Sequence, residues 1–448
     1  MSNFDVISQK MREHGAKRII FKSLANNDNT KQQIYLGKDF DVIKHIPSGE
    51  IYSAGISKKE GPIFKSSLNL FWIDTLGNTE NAPNAQIILY PKYPEIRMSG
   101  FLSGTDKRKE ITPRSLMQAP TPEQRHVRKN INRYMILGVN NEKILAYCTS
   151  WNDNIAEELI NKIKNNEAVP VASVFYEIPN SKQTSEEKLL KKLKEIYNTG
   201  EINSCKLSAT GDYRPYKAKN GAGYTLEAQF GITPNSSPDP DFMDWELKAH
   251  SGSVVTLMTP EPNTGIYIYE GLKKFLDEYA TKKESKRLDF ASIHKVGSMN
   301  LKTSLTMVME GYDPVTGKIT DPEGGLMLRD TKGNLAAGWF FSKIIEHWKK
   351  KHSNTCYVSY SSVIKNSETK YIFGPEVTLG RDTNLTHFLS GLYDSTIYYD
   401  PGINMKLEAN EKTGEENWRP KKRNQFRAKW KNINKLYSNL RNIDLRKI

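Results

Sequence analysis

The sequence predicts a mixed α/β protein in two parts, a strand-rich N-terminal domain over residues 1–180 and an α/β domain over residues 181–448. Three observations carry this expectation. The first part is a series of β-branched and aromatic runs cut by Gly, Pro and Asn. The second part alternates apolar residues at helical spacing with short strand-like runs. Between them lies "EIPNSKQTSEEK", a polar stretch broken by Pro179. A chain of 448 residues has room for two or three domains at roughly 150 residues each.

In chain order, "KRIIFKSL", "QQIYLG", "GEIYSAGIS", "SSLNLFWIDTLG" and "NAQIILYPKYPEIRM" read as strands. A basic polar insert follows at Arg125 to Arg133, then the apolar segments "YMILGV" and "EKILAYCTS". Ile155, Leu159, Ile160 and Ile163 predict a helix over residues 154–165. In the second part Ser185 caps a helix running to Tyr197, with Leu189, Leu190, Leu193 and Ile196 on one face. Residues 254–258 and 264–270 read as strands and 271–279 as a helix. A hairpin is expected around Asp313 to Gly317, and an amphipathic helix over 339–352 leads into the strand "TCYVSYSSVI". "GLYDSTIYYDPG" reads as a second hairpin.

Composition narrows the function. The net charge of +14 suits a polyanionic partner, because Lys and Arg neutralise phosphates and release condensed counterions. Cys148, Cys205 and Cys356 lie far apart with no CxxC pair, which argues against a disulfide framework or a zinc site and for a reducing compartment. The stretch "MSNFDVISQKMREHG" lacks the apolar core of a signal peptide, and no run is long enough to span a bilayer, so a cytoplasmic location is expected. The chain has no GxxxxGK[ST], HExxH or GxSxG motif.

The chemistry concentrates in "PDPDFMDWELKAHS", residues 238–251. On a strand, Trp245, Leu247 and Ala249 point one way and Glu246, Lys248 and His250 the other. A turn after Pro240 can swing Asp241 towards Glu246. Two carboxylates with the Leu247 carbonyl make a hard oxygen site suited to Mg²⁺, and Lys248 beside it can orient or help deprotonate an attacking water and neutralise charge on a phosphate. The alternative is an amphipathic strand with a surface Glu and Lys. Upstream, "GAGYTLEAQFGI" reads as a helix carrying Glu227. Leu226 stands where a dinucleotide loop needs its third glycine.

A helix with a Leu-Glu pair, a "PNSSPDPD" turn and then "WELK" resembles the PD-(D/E)xK nuclease core. More narrowly, "TLEAQFGITPNSSPDPDFMDWELKAH" followed by "VTLMTPEP" is similar to the MvaI/BcnI family of type II restriction endonucleases and the related mismatch-repair nicking enzyme MutH, over about residues 185 to 430. The resemblance implies a restriction-endonuclease-like core, a mixed central sheet flanked by helices. It implies Asp241, Glu246 and Lys248 as the active triad and Glu227 as an auxiliary carboxylate, with Asp239 and Asp244 the rivals of Asp241. It further implies Mg²⁺-dependent, sequence-specific cleavage of double-stranded DNA to 5′-phosphate and 3′-hydroxyl ends by a monomer, with a cognate DNA methyltransferase as functional partner. A partner-activated nicking enzyme, or a DNA-binding module with an inactive core, would share most of these residues.

Two basic regions lie outside that core motif. Residues 418–448 hold eleven basic residues against one acid. Phe426, Trp430, Ile433, Tyr437 and Leu440 recur at helical spacing, so a docked helix is expected, with Arg419, Lys421, Lys422, Arg423, Arg427 and Lys429 available to a DNA backbone. His250 and His387 are candidates for a base or phosphate contact. In the first domain, "YPKYPEIR" at residues 90–97 and the basic insert at 125–133 raise the expectation that this domain also contacts DNA.

Overall fold

The computed structural model describes residues 3–27, 30–38, 40–93, 95–128, 133–151, 153–172, 174–179, 184–218, 220–234, 240–351, 354–381, 383–409 and 414–448. The chain divides into two compact units, residues 1–184 and 185–448.

The first unit begins with helix α1 (Asn3–Glu13), whose Phe4, Ile7 and Met11 recur at helical spacing and are buried. Strand β1 (Arg18–Leu24) pairs antiparallel with β2 (Arg133–Val139), from Arg18 opposite Val139 to Leu24 opposite Arg133. β2 in turn pairs with β3 (Ile144–Cys148). These are the middle of a seven-stranded sheet, which also takes in Leu70–Ile73 from the predicted strand "SSLNLFWIDTLG", and a five-stranded sheet accounts for the other predicted strands between residues 33 and 99. Helix α2 (Asn154–Lys164) starts where the Asp153 carboxylate accepts from the Ile155 amide. α1 and α2 bury their apolar faces against Ile19, Phe21, Ile136 and Leu145. Of these two helices, α1 has no counterpart among the elements expected from sequence.

The second unit is built on a sheet in which β4 (Trp245–His250) forms one edge. β4 runs parallel to β5 (Asn354–Lys365), β5 antiparallel to β6 (Glu368–Arg381), and β6 also pairs with Ile202–Asn203 and with β7 (Asn439–Asp444). Helices α3 (Ser185–Thr199) and α4 (Gly221–Gln229) cover one face. Leu189, Leu193, Ala222 and Leu226 there meet Trp245, Leu247, Cys356, Val358 and Leu379. The three cysteines are buried free thiols.

Several expectations fail here for identifiable reasons. Residues 264–270, read as a strand from β-branched and aromatic content, contain the helix Ile266–Tyr269. Gly265 adopts φ +90° against the backbone of Ala337, and its carbonyl then accepts from the Tyr269 amide, which starts a helical turn. The helix expected from Trp339 starts at Phe341, because Trp339 belongs to the preceding strand, and His352 lies outside the described residues. "GLYDSTIYYDPG" is the end of helix Leu385–Tyr393 followed by strand Ile397–Tyr399, not a hairpin.

The largest correction is the basic tail, which is not a helix. It forms strands Glu416–Lys421, Phe426–Lys429 and β7, with a 3₁₀ turn over Trp430–Leu436. Phe426 and Ala428 alternate at period two, and both are fully buried between Val254–Met258 and Ile397–Tyr399. The helical spacing of 426, 430, 433 and 437 is real, but long-range pairing overrides it.

Because β7 and Leu445 belong to the main sheet and its core, the last dozen residues hold the second unit together. Leu445→Ala is expected to lower its stability by about 2–5 kcal/mol in denaturant titration, the usual range for emptying a buried leucine site. The exposed Lys447→Ala should change it by less than about 0.5 kcal/mol. Equal effects would mean that the tail is not packed in this way.

Candidate active site

Strand β4 is buried on both faces. Trp245 and Leu247 enter the core, yet Glu246 on the other face is only 3% exposed. The Lys248 ammonium donates to Glu246 Oε1 at 2.5 Å. The alternative of a solvated strand face carrying Glu246 and Lys248 is therefore set aside. Asp241 reaches the same place by a tight turn. Phe242 and Trp245 exchange both backbone hydrogen bonds, each 2.9 Å, around Met243 in the left-handed region and Asp244. Asp241 Oδ2 then accepts from the Leu247 amide at 2.8 Å.

That bond fixes more than the carboxylate. In an extended strand the amide and carbonyl of one residue point to the same side. The Leu247 carbonyl therefore shares with Asp241 the outer edge of β4, opposite β5. Phe242 is locked by Phe230 at the end of α4, ring centroids 5.0 Å apart, which ties the turn to the helix carrying Glu227.

Lys248 feels all of these charges. Burial alone would depress its pKa, but the Glu246 carboxylate, its hydrogen bond and the Asp241 charge outweigh that and hold the ammonium above its ordinary value. Above the pair lies an aromatic roof that sequence reasoning missed. Tyr357, opposite Lys248 on β5, hydrogen-bonds Tyr437 at 2.8 Å, and the Tyr437 hydroxyl donates to Thr355 at 3.0 Å. Burial pushes both tyrosine hydroxyls up, so they stay protonated. "TCYVSY" signals Tyr357 by alternation, whereas nothing local signals that Tyr437 would lie on it.

The donor set of Asp241, Glu246 and the Leu247 carbonyl is all oxygen and anionic, which fits a hard cation such as Mg²⁺. Among the described residues, no three His, Cys, Asp or Glu side chains gather at metal distance. Glu227 is half-buried on α4 and is not brought into that set. Of the rival aspartates, Asp239 lies outside the described residues. Asp244 accepts from Asn354 at 2.7 Å and joins the starts of β4 and β5.

A family model, the MvaI/BcnI restriction endonuclease family, matches residues 190–437, more than half of the chain. The chain belongs to this restriction endonuclease family. Membership implies a nuclease. No curated protein matches the chain. Among solved structures, it is similar to the restriction endonuclease MvaI in complex with cognate DNA, at 16% identity and a TM-score of 0.44, over 58% of this chain and 99% of that one. MvaI in the absence of DNA matches at 14% identity and a TM-score of 0.31, over 59% and 100%.

The remaining candidates of this family member separate by environment. Arg419, Lys421, Lys422, Arg423 and Lys429 are exposed. Lys422 lies 3.8 Å from Glu261, and Arg427 is paired with Asp400 at 2.6 Å. The turn carrying Lys421 to Arg423 is anchored by Asn424, buried among Glu261, Tyr267 and Tyr399. Burial raises the Tyr224 hydroxyl on α4, Glu227 adds to this and Arg423 opposes it, which brings Arg423 within charge range of that helix. His387 is half-buried near the start of helix Leu385–Tyr393, its amide donating to Asn384. His250 is buried and stacks on Trp430 at 3.8 Å, an arrangement that suits packing rather than contact with DNA.

Burial pulls the His250 pKa down to about 4. A depressed folded-state value means that its contribution is intact above the unfolded value of about 6.5 and lost as pH falls towards 4. His250→Phe, which keeps a ring on Trp430, is expected to flatten the loss of stability between these pH values. An unchanged acid-unfolding profile would place the titrating group elsewhere.

Proposed function

We propose that this protein is a Mg²⁺-dependent, sequence-specific endonuclease that hydrolyses phosphodiester bonds in double-stranded DNA, leaving 5′-phosphate and 3′-hydroxyl ends. The observation that carries the reading is the convergence of Asp241, Glu246 and Lys248 around the Leu247 backbone. Membership in a restriction endonuclease family supports the substrate class.

Asp241, Glu246 and the Leu247 carbonyl would hold the cation. When bound, Mg²⁺ supplies charge neutralisation and a more acidic water. Lys248, hydrogen-bonded to Glu246, would donate a hydrogen bond and positive charge to the phosphate and orient or help deprotonate the attacking water. Trp430 and the Tyr357–Tyr437 pair exclude water from the other side of Lys248, which strengthens that charge. The cations that end at Lys429, one residue before Trp430, approach the site along the tail and suit a DNA backbone. A monomer acting alongside a cognate methyltransferase fits this reading.

Digestion of a sequenced plasmid with Mg²⁺, followed by mapping of the ends, tests the activity. Asp241→Ala and Lys248→Ala should each lose several orders of magnitude in cutting rate while retaining DNA binding. Wild-type rates in either variant would overturn the assignment, and nicking without linearisation would favour the partner-activated reading. Glu227→Ala should be impaired less, since Glu227 is not gathered with the other two carboxylates.

The DNA-binding role of the tail has a separate readout. Replacing Lys421, Arg423 and Lys429 with Gln together should lower the log–log salt slope of DNA affinity by about 0.9 for each phosphate no longer neutralised. These positions are exposed, so the fold should survive. A slope equal to that of the wild type would remove the tail from the interface.

A further inference from the structure

The first unit contains a buried cation that the described residues do not balance. Arg133, at the start of β2, is fully buried, 0% exposed. Among the described residues its hydrogen bonding is limited to Nη2 donating to the Ala25 carbonyl at 3.3 Å, while its Nε and Nη1 have no partner. It forms no ion pair with any of them. Its guanidinium lies 4.1 Å from the centre of the Trp151 ring, and that of the half-buried Arg128 lies 4.4 Å from the same ring. No more than about twice that distance therefore separates the two cations.

The described groups around Arg133 do not supply the missing negative charge. Cys148, which interacts with Arg133, is held as a neutral thiol, since burial pushes it up to about 12. Asp153 spends its oxygens on the Ile155 and Ser150 amides and the Tyr147 hydroxyl. Stacking on Trp151 returns less than the cost of removing a guanidinium from water, and a second cation beside it adds to that cost. Burial and Arg128 both pull the Arg133 pKa down. Buried donors without acceptors are rare in folded proteins, and ordered water or a bound anion are the groups that can satisfy them.

We propose that the first unit has an oxyanion site, in which a phosphate group is held by Arg133 and Arg128 at the edge of Trp151. Nε and Nη1 lie on different edges of the guanidinium, each beside Nη2, and the Nη2 hydrogen not given to Ala25 leaves one edge with two donors for the paired oxygens of a phosphate, while Arg128 offers a second charge from the half-exposed side. Trp151 is already engaged by two cations, so the site reads charge rather than base sequence. The phosphate can belong to a free anion or to a DNA backbone. The site is built only from residues of the first unit and is independent of the nuclease reading.

The test uses the full chain and two variants, Arg133→Met and Arg128→Gln. In the first arm, Tm is followed with inorganic phosphate against sodium chloride at matched ionic strength. In the second, affinity for a short DNA duplex is measured without divalent metal across a salt series. For a free-anion site, phosphate raises the wild-type Tm by several degrees beyond chloride, and both variants abolish this rise. For a DNA phosphate, both variants lower the log–log salt slope by about 0.9. Arg133→Met also removes a buried unpaired charge, so without phosphate it should be at least as stable as wild type. The proposal is overturned if phosphate acts no differently from chloride and the variants bind DNA as the wild type does. It is also overturned if both variants keep the full phosphate response together with the wild-type salt slope. Arg128→Gln decides the matter by itself should Arg133→Met fail to fold.

Discussion

The contact between Glu246 and Lys248 constrains everything around β4. A carboxylate that is 3% exposed needs a partner at hydrogen-bond distance, and Lys248 supplies it at 2.5 Å. Removing one member of such a pair typically costs about 3–5 kcal/mol, because the other is left charged and dry. The pair must therefore be held rather than merely permitted. Trp245 and Leu247 hold it from the core side, the parallel ladder to β5 sets its register, and Tyr437 and Trp430 close it from above. Asp241 occupies the one direction left open, the outer edge of the strand, where the Leu247 amide would otherwise lack a partner in the sheet. An edge strand is thus finished by a carboxylate instead of another strand.

This arrangement gives the last part of the chain three simultaneous tasks. Phe426 and Ala428 fill the gap between two strands, Trp430 and Tyr437 cover the candidate site, and β7 with Leu445 completes the main sheet. Gly380 on β6 allows the second of these, since a Cβ there would meet the Tyr437 ring at 2.8 Å. The basic residues ride on the outer face of a segment whose inner face is already committed. Cations near the site are consequently placed by the same packing that closes it, and a disturbance at Asn424 or Trp430 would move both.

Much of the second unit is legible in the sequence because its signals are local. Leu189, Leu193 and Ile196 mark α3 by periodicity, and Trp245 and Leu247 mark the buried face of β4 by alternation. The aspartate, glutamate and lysine are also legible, since a turn and one strand suffice to bring them together. What stays hidden is non-local. No pattern in "WKNINKLYSNL" announces that Tyr437 will lie on Tyr357, eighty residues earlier. The tail misleads because its apolar residues satisfy two periods at once, and only the open edges of β6 and Val254–Met258 decide for strand. α1 is hard to see although Phe4, Ile7 and Met11 state it, because charged neighbours obscure so narrow a stripe.

The distribution of acids sorts the cations more finely than net charge does. Arg427 and Lys422 lie beside Asp400 and Glu261, and much of their field is spent inside the protein. Lys421, Arg423 and Lys429 are exposed and, among the described residues, form no ion pair. Their charge can act on an external polyanion, and in water it acts only over a Debye length of about 8–10 Å. Arg133 is the opposite case, a fully buried cation that forms no ion pair among the described residues. Screening does not relieve it, and its field is felt at full strength by whatever anion can reach it. The same positive excess therefore has two physical meanings in one chain. On the surface of the second unit it can steer a long polyanion, and inside the first it can select a single group.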